Sequence, residues 1–441
     1  MIALPDARAR PRLAQRRETD PVVRRYRAFF AQLDWSRLPE RDPARPWPGP
    51  VPHPRSAYVK ALLVKICEGK PYATRLRAFL VEHPLLVLEI GFRPVVDPAR
   101  PEGFDVEATV PGARWLRAQQ QTLDDAGLTA LLAGTVAALG AEIPGLGTTV
   151  ALDVKHIYAW VQQNNPKAYV AHRFDPARQP AGDPDCRLGV KRRSNQAQPD
   201  GTATGPAECL WGYGSGVASA TAPVYGDVVL AEHTRTFNEH DVSYFRPLYQ
   251  RAAAALGHPP TNLTADAAFD AWYVYEACVP TGGIAAVPLN GRGKAPPDRD
   301  PDGIPRCAAG LPMVLRATFR HEDGHRAQRF GCPLLHPRRS DQTCAHPQFA
   351  KGVGCTRVVN AEPGGRMRVE LDRASPAFRD LYRQRTATER INSQATALGI
   401  ERPRVRNARS VAHLNTLTYV VINVRALQRA RAINAAQAPA A

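Results

Sequence analysis

At Gly147 the texture of the chain changes, and that change restricts the fold more than any other feature. Before it, apolar residues recur at helical spacing. After it, short β-prone runs alternate with helical ones. TTVALDVKHIYAWV, ECLWGYGSGVASATAP and YGDVVLAEHTRT read as three strands. DVSYFRPLYQRAAAALG reads as a helix with Asp241 as N-cap and Gly257 as stop. TNLTADAAF is then a short strand, a helix starts near Ala271, and GGIAAVPLN is a further strand. That order, with helices between strands, is that of a mixed α/β sheet.

The remaining segments arrange themselves around this core. Residues 1–55 are rich in Arg and Pro, and read as a basic arm (Arg8 to Arg17), one short helix from Val22 to Leu33, and a linker. Residues 56–146 are helical: AYVKALLVKICEG stops at Gly69, TRLRAFLVEHP ends at Pro84, LLVLEIGF follows, and one more helix runs from about Gly112 to Gly140. Helices of this size suit either a helix-turn-helix DNA reader or a plain packing domain. Residues 147–290 form the first part of the core. Residues 291–375 break its rhythm and read as an insertion. Residues 376–430 return to the core as a long helix over 376–398 and a second helix, and 431–441 form a tail.

Composition narrows the partner. Lys and Arg total 58 against 41 acidic residues, a formal charge of +17. Such a balance favours polyanions, nucleic acid first, although an Arg-rich proteome raises the same count. No run of 18 apolar residues occurs, so no membrane span is expected. Met1 to Arg17 lacks the apolar stretch of a secretory signal, so a cytoplasmic, reducing setting is expected, with the eight cysteines as thiols or metal ligands.

Three acids stand out. Asp153 lies inside an apolar strand, where a carboxylate is costly unless it is paired, hydrogen-bonded or metal-bound. Asp266 ends a second strand, and acids at the C-terminal ends of neighbouring strands can converge. Glu389 lies in FRDLYRQRTATERINSQATAL. Three carboxylates suit hard divalent ions in phosphoryl transfer. Singly, each has a structural reading too: Asp153 paired to Lys155, Asp266 or Asp270 capping the next helix, Glu389 as a surface glutamate. On a continuous helix, Tyr382, Arg385, Glu389 and Thr396 share one face, joined by Asn392 and Ser393.

Tyr382-x2-Arg385-x3-Glu389 resembles the C-terminal signature of the insertion-sequence DDE transposases, Tyr-x2-Arg-x3-Glu-x6-Lys. LTADAAFD resembles their second-aspartate motif and ALDVKHI their first. ERINSQATALGIERPRVRN and SVAHLNTLTYVVINVRAL also look like that family, and the resemblance covers roughly residues 56–430. Thr396 stands where the family has Lys, so a cation there must come from elsewhere, with Arg402 and Arg404 nearest. The resemblance implies a ribonuclease-H-like fold. Asp153, Asp266 and Glu389 would hold two Mg²⁺ (or Mn²⁺) ions, and no covalent protein–DNA intermediate would form. Tyr382 and Arg385 would support the site. The partners implied are double-stranded DNA, at terminal inverted repeats and target, and a second copy of the chain when DNA is bound. A catalytically inactive DNA-binding relative and a ribonuclease-H-like nuclease are the alternatives.

Three further groups bear on function. Cys307, Cys332, Cys344 and Cys355 lie within 49 residues and could close a tetrahedral zinc site, with His325, His336 and His346 as additional ligands, or be buried small hydrophobes. Lys191, Arg192 and Arg193, and then Arg402, Arg404, Arg406 and Arg409, are basic runs suited to tracking a phosphate backbone. Trp160, Trp211 and Trp272 read as core side chains or as stacking platforms for a flipped base.

Overall fold

The computed structural model describes residues 9–42, 48–49, 51–191, 208–290, 298–300 and 302–437. The protein is mixed α/β, and its strands pair both antiparallel and parallel. It divides into two compact units, Met1–Pro259 with Thr386–Ala441, and Pro260–Arg385.

Among the described residues, the stretch expected as a basic arm is helical from Ala9 onward. Helix α1 spans Ala9–Thr19 and α2 spans Pro21–Phe30. Asp20 caps α2 by accepting from the Val23 amide, and Pro21 supplies a pre-set first turn. Val23, Tyr26, Phe29 and Phe30 fall on one face, and that face is buried. Five helices follow: α3 (Arg55–Cys67), α4 (Ala73–Glu82), α5 (Pro84–Ile90), and, after a two-residue ribbon β1 (Val95–Val96) with β2 (Phe104–Asp105), α6 (Val106–Thr109) and α7 (Ala113–Gln121). Glu89 on α5 accepts from both Arg27 and Arg17, which ties the N-terminal helices down. The helix expected over 112–140 is two: Asp124 accepts from the Gly127 amide and starts α8 (Asp125–Glu142) afresh. No single helix among the described residues is long and apolar enough to cross a membrane.

The sheet of this unit is built on β5 (Glu208–Ala222). It pairs antiparallel with β3 (Thr149–Tyr158), β4 (Arg187–Lys191) and β6 (Gly226–Thr236). One face is covered by α9 (Phe245–Leu256) and the turn before it. A Cβ at Gly214 or Gly216 would lie 2.3 or 2.5 Å from Tyr244, so only glycine lets that turn approach. Asp241 lies within this 3₁₀ turn rather than capping the helix, while Gly257 ends α9 in the left-handed region as expected.

Two helices lie on the other face, α14 (Thr386–Ala397) and α15 (Ala408–Gln437). At 30 residues α15 spans about 45 Å. It is buried on nearly every side through Leu427, and its polar residues find partners there. The Asn423 side chain accepts from the Val229 amide (2.9 Å) and donates to the Val229 carbonyl (2.7 Å), completing the β6 ladder where that strand is bulged. The segment expected as a tail is largely the end of α15, where Asn434 and Arg431 bond Glu142. Helices from residues 26 to 132, the strands and α15 contribute to one apolar core. Residues on both sides of the expected boundary at 146 contribute to that core.

The second unit holds a parallel pair, β7 (Asn262–Thr264) and β8 (Ala285–Ala286), joined through α10 (Trp272–Glu276). A separate antiparallel sheet follows, β9 (Val314–Arg320), β10 (Arg326–Gly331) and β11 (Thr356–Asn360), with β10 central. α11 (Pro347–Ala350) lies in the β10–β11 connection. The unit ends with α12 (Pro363–Glu370) and α13 (Pro376–Arg383). The expected insertion, 291–375, lies wholly inside this unit, and its strands form their own sheet. The unit is wider because α12 packs on α10: the Gly364 amide donates to Glu276, and a Cβ at Gly364 would lie 2.3 Å from the Glu276 amide nitrogen.

Candidate functional site

In the first unit the site is built on β3 and α14. Asp153 is half-buried on β3, in register with Val217 of β5, which is in register with Glu232 of β6. These three side chains therefore share one face of the sheet. On α14, Asn392 donates from Nδ2 to the Asp153 carboxylate at 2.8 Å. Its own Oδ1 is buried with no hydrogen-bond partner. Glu389 is exposed one helical turn before Asn392, on the same side of α14.

Two further contacts hold α14 in place. The Arg390 guanidinium donates two hydrogen bonds to Asp227 at the start of β6, at 2.6 and 2.7 Å. Ala387, Thr388, Ile391 and Ala395 are buried beneath it. The helix carrying Glu389 is thus fixed on the sheet that carries Asp153.

Glu232 was not legible in the sequence. It is buried, and burial pushes its carboxyl up against the pull of hydrogen bonds from Thr234, Thr416 and Ser215. Ser215 in turn contacts the Tyr419 hydroxyl at 3.2 Å. Burial raises that phenol, and the charges of Glu232 and Asp153 raise it further. A layer of hydroxyls and one carboxyl therefore lies on the same sheet face as Asp153. The only hint in the sequence was a glutamate in an otherwise apolar strand.

The expected helix over 376–398 is broken at Gln384 and Arg385, between α13 and α14. Tyr382 and Arg385 are consequently not on the Glu389 face of one continuous helix. Tyr382 stacks on Phe378 at 5.8 Å, and the Arg385 guanidinium lies 5.9 Å from the Tyr382 ring. Both belong to the second unit, as does Asp266. Asp266 follows β7 and accepts from the Ala268 amide at 2.9 Å, capping a 3₁₀ turn. Asp270 is structural: its carboxylate, with no exposed side-chain surface, takes two bonds from Arg368 and one from the Tyr275 hydroxyl.

The basic runs divide. Lys191 ends β4, and Arg192 and Arg193 lie outside the described residues. Arg402, Arg404 and Arg406 are exposed and alternate with buried Pro403 and Val405. Arg402 lies 4.2 Å over the Tyr158 ring and Arg406 5.0 Å over Trp160, at the end of β3. Arg409 instead pairs with Asp125. Trp211 is buried, with its Nε1 donating to the Arg173 carbonyl, so it is a core side chain and no base platform. In the second unit Trp272 packs against His325.

The four cysteines of that unit come into one neighbourhood. Burial pushes the Cys355 thiol up, and Cys307, Cys332 and Cys344 each add to the shift. Cys307 and Cys355 share one apolar cluster, and Cys332 and Cys344 share another. Among the described residues, the metal-ligand type atoms found within 4.8 Å of one another are those of His321, Asp323 and His325. These three occupy the β9–β10 turn. Comparison with protein-family models and with curated proteins finds no match, so the residues themselves carry the functional argument.

Proposed function

We propose that this protein is a transposase of the DDE type, which cleaves and joins DNA strands by divalent-metal-dependent phosphoryl transfer. The observation that carries the reading is the Asn392–Asp153 hydrogen bond. It brings a carboxylate on a sheet strand to within one helical turn of Glu389, whose surrounding residues resemble the transposase signature. The element order supports a ribonuclease-H-like core: four antiparallel strands (β3 to β6), a helix, then a strand, helix and strand with the last two strands parallel.

The residues fit a hard divalent ion. Carboxylate oxygens are its preferred donors, and the orphaned Asn392 Oδ1 beside Asp153 is a further oxygen with no protein partner. Asp153 and Glu389 would hold the ion, and the resemblance gives Asp266 the same role. When bound, it activates the attacking hydroxyl and stabilises the leaving oxygen. Asn392 orients the Asp153 carboxylate, Arg390 holds α14 to the sheet, and Arg402, Arg404 and Arg406 contact the DNA backbone. Double-stranded DNA is the substrate, and pairing of two ends calls for a second copy of the chain. In the second unit, Cys307, Cys332, Cys344 and Cys355 could supply the donors for a structural zinc ion only by drawing together, since no three of their sulfurs lie within 4.8 Å of one another.

The test is cleavage of duplex DNA carrying the inverted repeats that flank the gene, with Mg²⁺ or Mn²⁺. Wild type should nick at the repeat ends and generate a free 3′-hydroxyl. A trapped phosphotyrosyl adduct, or cleavage that survives chelation of divalent ions, would overturn the reading.

A further inference from the structure

A cleft of about 210 Å³ opens in the first unit between the end of α3 and the segment joining α14 to α15. That volume is well above the ~10–15 Å³ that a single water requires. Lys65, Lys70, Arg402 and Arg404 all line it, and no acidic residue does. The nearest acids in sequence are engaged elsewhere: Glu68 with Arg25 and Tyr26, Glu401 with Lys155.

Lys65 is the unusual member. It sits on the last turn of α3 and is only 7% exposed. Among the described residues it has no hydrogen-bonding or ion-pairing partner, and burial alone pushes its ammonium down to about 8. A lysine so largely buried, with its ammonium open only to the cleft and no counter-charge beside it, is disfavoured in its charged form, and the ordinary remedies are loss of the proton or a bound anion. The cations around it argue for the anion. Lys70 is held over the Phe79 ring at 5.0 Å and Arg402 over Tyr158. Asn415 also borders the cleft; it is fully buried and its Oδ1 accepts no hydrogen bond. An anion that accepts from the Lys65 ammonium supplies the missing counter-charge, and a phosphate does so.

We infer that this cleft is a phosphate-binding site, with Lys65 as its buried cation, and that it takes a phosphate of a nucleic-acid strand. The choice of a nucleic acid over a free phosphate rests on the function proposed above; the phosphate chemistry does not. A bound phosphate keeps Lys65 protonated, as opposite charge favours the ionised form.

Two measurements on the full-length protein test this. In the first, sodium phosphate is titrated against sodium chloride at matched ionic strength while thermal unfolding is followed. Phosphate should raise the midpoint in a saturable way, as a ligand of the native state does. The rise should vanish in Lys65→Met, which keeps the length and removes the charge. In the second, binding of a 5′-phosphorylated duplex is measured across salt concentrations. Lys65→Met should lower the magnitude of the log–log salt slope by about 0.9, the value for one lost phosphate contact. If Lys65→Met fails to fold, Arg404→Gln, on an exposed side chain, should weaken both responses. Absence of a phosphate-specific rise in wild type would overturn the site. A rise without a change in salt slope would overturn the nucleic-acid assignment. Asp153→Ala should keep both responses, so a failure to cut DNA and a failure of this cleft are separately visible.

Discussion

Asn392 and Asp153 lie 239 residues apart and meet in a 2.8 Å hydrogen bond. The bond joins the helix that carries Glu389 to the strand that carries the first acid.

Asp153→Ala and Glu389→Ala should each abolish metal-dependent strand cleavage and leave binding of the DNA ends largely intact. Metal-bound charge stabilisation is worth several kcal/mol, or roughly a hundred- to thousand-fold in rate. Single-turnover cleavage beside a gel-shift titration reads the two effects. A parallel Asp266→Ala variant asks whether the acid of the second unit has the same role, and wild-type cleavage by it would exclude Asp266 from the ligand set.

Asn392→Ala should weaken metal dependence rather than eliminate activity. Residues that orient metal ligands typically contribute about 10–100-fold in metal affinity. Titration of Mn²⁺ against cleavage should show that shift, with activity recovered at saturating metal. Loss of activity that excess metal does not restore would mean that Asn392 acts otherwise.

Asn423→Ala should be among the most destabilising single changes in α15. It leaves both the Val229 amide and carbonyl without their side-chain partner, and Thr135 as well. An unsatisfied buried group costs about 1–3 kcal/mol, so a loss of about 2–4 kcal/mol is expected from denaturant midpoints. A shift under about 0.5 kcal/mol, typical of a surface change, would contradict the ladder role.

Acid should weaken the first unit through His233. Burial pushes its imidazole down to about 4, with Arg251 and Arg235 adding to the shift. Below its ordinary value of 6.5 the unfolded chain binds the proton more readily than the folded one. Stability is therefore complete above about pH 6.5 and falls as pH drops toward 4, by an amount on the order of 2–3 kcal/mol. His233→Gln should flatten that limb in unfolding midpoints between pH 7 and 4.5. An unchanged pH slope would show that His233 is not the group responsible.

The purified chain should carry about one zinc ion if the four cysteines form a closed site. Elemental analysis of wild type and Cys332→Ser checks this, with the second unit's resistance to proteolysis as a second readout. Metal content that is unaltered by Cys332→Ser, or a protein free of zinc with four titratable thiols, would leave those cysteines as packing residues.

Local periodicity carried much of the framework. The apolar runs after Gly147 placed β3, β5, β6, α9 and β7, and put Asp153 inside a strand, because alternation and helical spacing are properties of neighbours in the chain. Gly91 and Gly257 end their helices in the left-handed region, as glycine allows. The same reasoning joined α13 to α14 across Gln384 and Arg385, and merged α7 with α8 over the Asp124 cap. A helical pattern can run through a break that only packing and capping decide. It also placed a helix from Val22 to Leu33, close to α2, but took Arg8 to Arg17 for an arm, where α1 spans Ala9–Thr19. What lies beyond the sequence is every relation between distant residues. Asn392 with Asp153, Glu232 behind the same sheet face, and Lys65 without a counter-charge each depend on strands and helices meeting in three dimensions. Desolvation and hydrogen-bond partners are set at those meetings, so the chain alone determined which residues were available, and tertiary packing determined which of them were buried and what they faced.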